Sequence, residues 1–452
     1  MTIVIIGNGV AGVTAARYLS EAGAEVEVYT QEAYHYYPRP RLQKFLAGEI
    51  ELHELPLYPP AWYEKRGIAV HLGVEVVELD PRAKRIALAA CTERGRSNGR
   101  QVPYDRLLLA TGSRPFVPAI QGEDKGGVFT YRTIEDALAI KRWACPERCP
   151  EPVEGPSRRA EGAKRAVVVG CGLLGLEAAR ALAGLGLGVT VLERGPHPLQ
   201  RQLDAEGGAL MRELIEAMGI AVACNASSQA ILGDGTSPPE LAALPSSPPK
   251  PALSPVEGLG GKEGGLATGV LLEDGRRIEG DLILISAGVR CNVGLAQEAG
   301  LEVNRGVVVD EHLRTSADDI YAAGDVAEFR GQVYGIIPAC LEQAKVAALN
   351  MLGEEVAYEG TIPSNTLQVV GIDCTSIGVI HPPEGEDYQE LRKSEAGVYK
   401  KLVLKDGRLV GAILLGDRKD VAPISRLIQR GADVSCYAGR LLDDDFDWKG
   451  LL

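Results

Sequence analysis

Two short glycine runs place chemistry in this chain before any fold is known. Gly7-Asn8-Gly9-Val10-Ala11-Gly12 and Gly170-Cys171-Gly172-Leu173-Leu174-Gly175 both read G-x-G-x-x-G. In that spacing the first glycine permits a tight turn, the second lets backbone approach a pyrophosphate, and the third lets a helix pack on a strand. Free N–H groups at the helix start then face the phosphates. A carboxylate further on would accept hydrogen bonds from a ribose. Glu193 ends the strand after the second run, and Glu32 stands about 20 residues past Gly12, the offset the fingerprint wants. Thr30 holds the place at the strand end where that acid usually sits, so Glu32 competes with a reading as a solvated loop acid. Glu193 repels a 2′-phosphate and favours NADH over NADPH, a preference that Arg194 and Arg201 close by would soften.

Each run needs a strand before it and a helix after it, and the sequence supplies both. Ile3–Ile6 reads as a buried strand, Val13–Glu21 as an apolar-faced helix and Glu25–Tyr29 as a second strand. Ala166–Val169, Leu176–Leu185 and Val189–Leu192 repeat the pattern downstream. A repeated strand–helix–strand unit implies two parallel sheets with right-handed crossovers. Beyond about residue 360 the texture changes. Lys400–Leu404, Asp406-Gly407 and Leu409–Leu415 read as a hairpin of a small α+β domain that carries no chemical motif. The fold class is therefore α/β: two Rossmann-like dinucleotide-binding domains plus a small C-terminal α+β domain.

Two segments interrupt this plan, at about 144–164 and 236–266. They are rich in Pro, Gly, Ser and Ala without a sustained period, and read as inert surface insertions. The second splits a hairpin, with Ala230–Asp234 before it and Thr268–Leu272 after it. Chain closure across such an insertion adds little, because its entropy grows only logarithmically with length. At 452 residues two or three domains are expected. A net charge of -13 disfavours nucleic acid or an anionic membrane as the main partner. Nothing reads as a targeting segment or a membrane span. The nine cysteines are scattered, with no Cys-x-x-Cys pair, so neither a disulfide framework nor a metal site is expected and the cytoplasm is the default compartment.

Further stretches resemble the pyridine nucleotide-disulfide oxidoreductase family, the flavoprotein reductases with two dinucleotide folds. Tyr104–Pro115, with Ala110, Thr111 and Gly112, is similar to the segment where the chain leaves the FAD domain. Ser286–Asn292, with Gly288, is similar to its return, although Cys291 stands where the family usually has proline. Thr315–Ala327 resembles the second FAD motif. The resemblance implies an FAD domain in two parts (1–115 and 288–360), an NAD(P)H domain (116–287) and a C-terminal interface domain (361–452). It implies FAD at Gly7, Gly9, Val10, Ala11, Gly12, Glu32, Arg39, Lys44, Ala110, Thr111, Gly112, Gly324, Asp325 and Pro338. Asp325 would hold the ribityl chain, as a carboxylate after an apolar strand suits sugar hydroxyls. NADH would lie at Gly170, Gly172, Leu173, Leu174, Gly175, Glu193 and Gly288. Tyr36–Lys44 and Val333–Ala344 are similar to NADH:rubredoxin reductases and to the flavin portion of assimilatory nitrite reductase large subunits.

Disulfide reductases of this family keep a reactive cysteine near the position of Arg39–Lys44, yet residues 30–60 contain none. Thiol–disulfide chemistry needs that thiolate, so hydride transfer without a protein relay remains. Cys171, inside a glycine turn, reads as a small filler. By resemblance Lys44 and Glu177 form an ion pair beside the flavin and carry the catalytic role. The rival for Glu177 is a first-turn helix acid favoured by the dipole. From Pro338 a helix N-terminus would face the flavin pyrimidine oxygen. The expected activity is NADH-dependent flavin reduction feeding a rubredoxin-like carrier or an iron–sulfur or other metalloprotein subunit. A flavin subunit of a nitrite-reductase-like complex, an NADH oxidase and a flavin-dependent redox sensor are the alternatives. Homodimerisation is left open.

Overall fold

In Thr2–Ile6 and Arg165–Val169 nearly every residue is apolar and buried, which suits a parallel strand covered on both faces. The computed structural model describes residues 1–92, 95–145, 163–234 and 265–451. Both expected insertions lie, apart from a few flanking residues, outside the described residues.

The chain groups into two units. The first comprises Met1–Arg41, Glu51–Arg114 and Val289–Thr361. Its parallel sheet runs in the order Ile320–Ala322, Arg106–Leu109, Thr2–Ile6, Glu25–Thr30, Ile68–Leu72. Thr2–Ile6 lies between strands reached in opposite directions, so the chain diverges beyond its carboxyl end and opens a crevice there. The helices Val10–Glu21 and Ile337–Met351 pack together on this sheet. One aliphatic core, including Ile3, Ile5, Leu107 and Ala347, joins them.

The second unit comprises Leu42–Ile50, Pro115–Gly288 and Ile362–Leu452. Its parallel sheet has the order Ala221–Ala223, Gly188–Leu192, Arg165–Val169, Leu282–Ile285, Val128–Thr130. Ser228–Gly233 and Ala267–Leu272 pair antiparallel, so the hairpin expected on the two sides of the second insertion forms. From Ser364 a five-stranded antiparallel sheet follows, backed by the helix Val421–Arg430. The hairpin expected around Asp406-Gly407 is part of it, both residues having positive φ (49° and 72°) as a type I′ turn requires.

Leu42–Ile50 groups with the second unit although the chain around it belongs to the first. Local pattern could not show that, because the burial of Phe45 and Leu46 is decided by what lies far off in the chain. The Lys141 ammonium sits 4.4 Å over the Phe45 ring and donates to the Phe45 carbonyl at 3.1 Å.

Candidate functional site

At the carboxyl end of Thr2–Ile6 the turn closes as the glycines require. Gly7 has φ 111°, and a Cβ there would stand 2.1 Å from the Ala110 carbonyl oxygen. A Cβ on Gly12 would meet the Gly7 carbonyl at 1.9 Å. Gly9 differs, for a Cβ there would project into open space. Gly9 also N-caps Val10–Glu21 without any side-chain cap, so the first-turn N–H groups are not claimed by a cap. That pairing of clearance and uncapped donors fits a pyrophosphate.

The segment whose sequence resembles a second FAD motif meets the first glycine turn here. A Cβ on Gly324 would lie 2.9 Å from the Ala11 Cβ, and the Gly324 N–H donates to Gln343 Oε1 at 2.9 Å. Asp325 accepts from Ser113 Oγ at 2.8 Å, with Cys340 Sγ 3.6 Å away. The exit and return segments are stitched together. Thr111 Oγ1 donates to the Asn292 carbonyl at 2.9 Å, Asn292 Nδ2 to the Thr111 carbonyl at 2.8 Å, and the Asn292 N–H to Gly112 at 2.9 Å. Ser113, Asn292 and Gln343 were not foreseen, since their partners lie far away in sequence.

Glu32 lines a cavity of about 40 Å³ together with Asn8, Gly9, Val10, Thr30 and Arg39. Its carboxylate accepts hydrogen bonds from Tyr37 and Arg39, so it is not the solvated loop acid of the rival reading. The Arg39 guanidinium also lies over the Tyr37 ring, 4.7 Å from its centroid. Both Asn8 side-chain polar atoms are buried and make no close hydrogen bond among the described residues, the Tyr63 hydroxyl being the polar group near them, and Asn8 lines the same cavity. Unsatisfied polar groups at such a place fit a polar ligand. Pro338 lies in the first turn of Ile337–Met351, whose N-terminus likewise has no side-chain cap.

The second unit repeats the arrangement. Gly170 has φ 112° and packs on Ser286, a Gly175 Cβ would meet the Gly170 carbonyl at 2.1 Å, and a Gly172 Cβ would meet nothing. Leu173–Gly184 starts at Gly172 without a side-chain cap, with Leu174 exposed beside it. Glu193 Oε2 accepts the Cys171 N–H at 3.2 Å, while Oε1 accepts the Gly195 N–H at 2.8 Å and Gln200 Nε2 at 2.9 Å. Gln200 is a further residue that spacing did not reveal. Gly288 has φ 107°, and its carbonyl accepts the Phe116 N–H at 2.9 Å. Cys171 is fully buried, and burial pushes its thiol well above the ordinary range, so it offers no thiolate.

The expected Lys44–Glu177 ion pair is not formed among the described residues. Lys44 is exposed. Glu177 Oε1 instead accepts the N–H of Val370 at 2.9 Å, from a turn of the C-terminal sheet. Burial pushes the Glu177 carboxyl up against the opposing pull of Val370, Gln43 and the Arg180 charge. A backbone donor thus holds one of the two Glu177 oxygens.

Comparison with known proteins agrees with this geometry. The family model described as pyridine nucleotide-disulphide oxidoreductase matches residues 1–348, and that of the rubredoxin NAD+ reductase C-terminal domain matches 363–432. A nitrite reductase [NAD(P)H] of Bacillus subtilis is 34% identical over 96% of this chain and 48% of its own length. A rubredoxin-NAD(+) reductase of Pseudomonas putida is 31% identical over 86% of this chain and 89% of its own. The solved covalent complex of putidaredoxin reductase with putidaredoxin superposes with a TM-score of 0.78 at 25% identity, covering 100% of this chain and 97% of that one. The chain spans about half the length of the nitrite and nitrate reductase relatives it matches, between 40% and 51%.

Proposed function

The chain belongs to the pyridine nucleotide-disulphide oxidoreductase family, and from that premise we propose an FAD-dependent enzyme that takes reducing equivalents from NADH and passes electrons to a small redox protein. The observation that carries this reading is the pair of open glycine cradles, at Gly9 and Gly172, each at an uncapped helix start. Bound FAD would supply the chemistry, accepting a hydride from NADH and releasing electrons to the carrier.

The chain's own residues bind and orient. Gly9 and the first turn after it hold the FAD pyrophosphate, and Glu32, steadied by Arg39 and Tyr37, takes the adenosine ribose. Asp325, oriented by Ser113, accepts from the ribityl hydroxyls. Gly172 and its helix start hold the NADH pyrophosphate. Glu193 accepts from the ribose 2′-hydroxyl, and its charge disfavours the 2′-phosphate of NADPH. The family likeness gives Lys44 and Glu177 their catalytic role as a pair; here each would serve the transfer through its own charge, without pairing to the other. No cysteine lies at residues 30–60, the place of the family's reactive thiol, so the transfer runs without that thiol. Among the described residues no helix is long and apolar enough to cross a membrane. With cysteines scattered along the sequence and no Cys-x-x-Cys spacing among them, we place the protein in the cytoplasm.

The acceptor assignment rests on the rubredoxin NAD+ reductase C-terminal domain match and on the carrier named in the solved complex. Its test is steady-state reduction of purified rubredoxin or a [2Fe–2S] ferredoxin by NADH, followed through the carrier's absorbance. Carrier reduction well above the rate of oxygen consumption supports the reading, and turnover with oxygen alone contradicts it. The second reading is a flavin module of a nitrite-reductase-like assembly, favoured by the 34% identity to a protein twice as long. Co-purification with a siroheme or iron–sulfur protein distinguishes it.

A further inference from the structure

The part of the chain from Ile362 onward supplies none of the cofactor residues assigned above, yet it grips the second nucleotide fold at three points. The Val370 N–H holds Glu177, as described. His381 Nε2 lies 2.9 Å from the carbonyl oxygen of Gln200, the residue whose side chain donates to Glu193. The third grip is a buried charged cluster around Asp204. Tyr399 donates its hydroxyl to Asp204 Oδ2 at 2.7 Å, and Lys401 Nζ lies 3.3 Å from the same oxygen. Lys401 also lies 2.9 Å from Glu390 and donates to the Ile380 carbonyl at 3.0 Å, so its three donors meet three acceptors although it is only 2% exposed.

Asp204 connects that cluster to the ribose site. It caps the helix Ala205–Ala217 by accepting the Gly207 N–H at 3.1 Å. The helix start lies on Tyr399, since a Cβ at Gly207 would stand 3.0 Å from a ring carbon. Between Glu193 and Asp204 runs one short loop. Its Leu199 is buried at φ 54° and donates its N–H to the Cys171 carbonyl at 3.1 Å. Gln200 then reaches back to Glu193, so closely that a Cβ on Gly195 would be 1.7 Å from its Nε2. The loop is thus fastened to the glycine turn at Leu199, to His381 in a loop of the C-terminal part at Gln200, and to Tyr399 and Lys401 at its end.

We infer that Tyr399 and Lys401 are positioning residues for the nucleotide's ribose pocket, setting through Asp204 and this loop where Gln200 and Glu193 stand and so the selectivity for NADH over NADPH. The inference rests on the reading of the second fold as the NADH site. Stability alone is a weak reason for such a cluster. Burying a lysine beside two part-buried carboxylates carries a desolvation penalty, and well-packed apolar residues of equal volume often serve as well. What charges provide here and apolar groups do not is a fixed direction for Asp204.

The test compares KM and kcat for NADH and NADPH, with FAD content and melting temperature, in the wild type, Lys401→Met, Lys401→Arg, Tyr399→Phe and Glu193→Ala. Lys401→Met is expected to raise KM for NADH about tenfold, the loss of one charge-assisted contact, with kcat within about twofold. The NADH:NADPH preference falls, FAD content is unchanged, and Lys401→Arg recovers part of the preference. Tyr399→Phe, which removes only a hydroxyl, shifts KM in the same direction by less, and it decides the matter should Lys401→Met fail to accumulate. If Glu193→Ala raises KM while both C-terminal variants, folded and holding FAD, leave KM and preference unmoved, the clamp alone is overturned. If Glu193→Ala leaves KM for NADH unmoved, the reading of the second fold falls and the clamp with it.

Discussion

At the scale of single residues, the glycines divide into those that let the chain close and those that let a ligand in. Gly12 and Gly175 face backbone oxygens at about 2 Å for an added Cβ, whereas Gly9 and Gly172 face nothing. Gly175→Ala is therefore expected to cost about 3 kcal/mol or more, through backbone that must shift. Gly172→Ala leaves the melting temperature within about 2 °C, since one methyl in open space changes stability little. It weakens NADH binding nonetheless, because the methyl stands where the pyrophosphate must approach. Thermal melting beside NADH titration of each variant separates the two. Glu177 gives a second residue-scale prediction. Burial is the leading cause of its raised carboxyl, so its favourable share of stability is complete below the ordinary value of 4.5 and is lost as pH rises through its folded value. Glu177→Gln keeps the acceptor for Val370, and is expected to melt higher relative to the wild type at pH 7 than at pH 4. Equal differences at both pH values would contradict the assignment. Glu193 was legible from spacing alone, because the strand end and the glycine turn are neighbours in both chain and space. Asp204 and Asn292 were not, because Tyr399 and Thr111 reach them only when distant segments meet, and Gln200 was not, because only the turn of its own loop brings it back to Glu193. Lys44 and Glu177 were paired on likeness, and the structure gives Glu177 a backbone partner that no local pattern announces.

At the scale of elements, the helices that follow the two glycine runs start differently from Ile134–Ala144. Val10–Glu21 and Leu173–Gly184 begin at glycines with no side-chain cap. Ile134–Ala144 begins with a full capping box, Thr133 accepting the Asp136 N–H at 3.1 Å and Asp136 accepting the Thr133 N–H at 2.9 Å. Thr133→Ala should cost about 1 kcal/mol without changing KM for NADH, as measured by denaturant unfolding and steady-state kinetics. A KM effect equal to that of the Asp204 contacts would mean that any cap in this unit disturbs the site, and would weaken the special place given to Asp204. Strands and helices around the glycine runs could be read from apolar periodicity because both faces of a parallel sheet are covered. The hairpin on the two sides of residues 236–266 was equally readable, since its partners keep their alternation despite the long insertion. The grouping of Leu42–Ile50 with the second unit could not be read, since seven helical residues carry too little pattern to name their neighbours.

At the scale of the whole molecule, the two nucleotide folds share one plan and differ in what they are built to hold. The first draws Ser113, Asp325 and Asn292 together from distant parts of the chain, which suits the proposed FAD as a cofactor that stays. The second keeps Glu193 and Gln200 on one loop, fastened by the C-terminal sheet, which suits the proposed NADH as a nucleotide that comes and goes. The two folds themselves were visible in outline from the paired glycine runs. The part played by the C-terminal sheet was not, because it depends on Lys401 and Tyr399, ordinary strand residues until their partner is known. The central claim is electron transfer from NADH to flavin with no thiol between them, and anaerobic titration of the oxidised holoprotein with NADH tests it most directly. The account predicts that one NADH per FAD bleaches the flavin completely. A requirement for two NADH per FAD would reveal a redox-active disulfide, and a flavin that stays oxidised would remove NADH as the donor; either result contradicts the account.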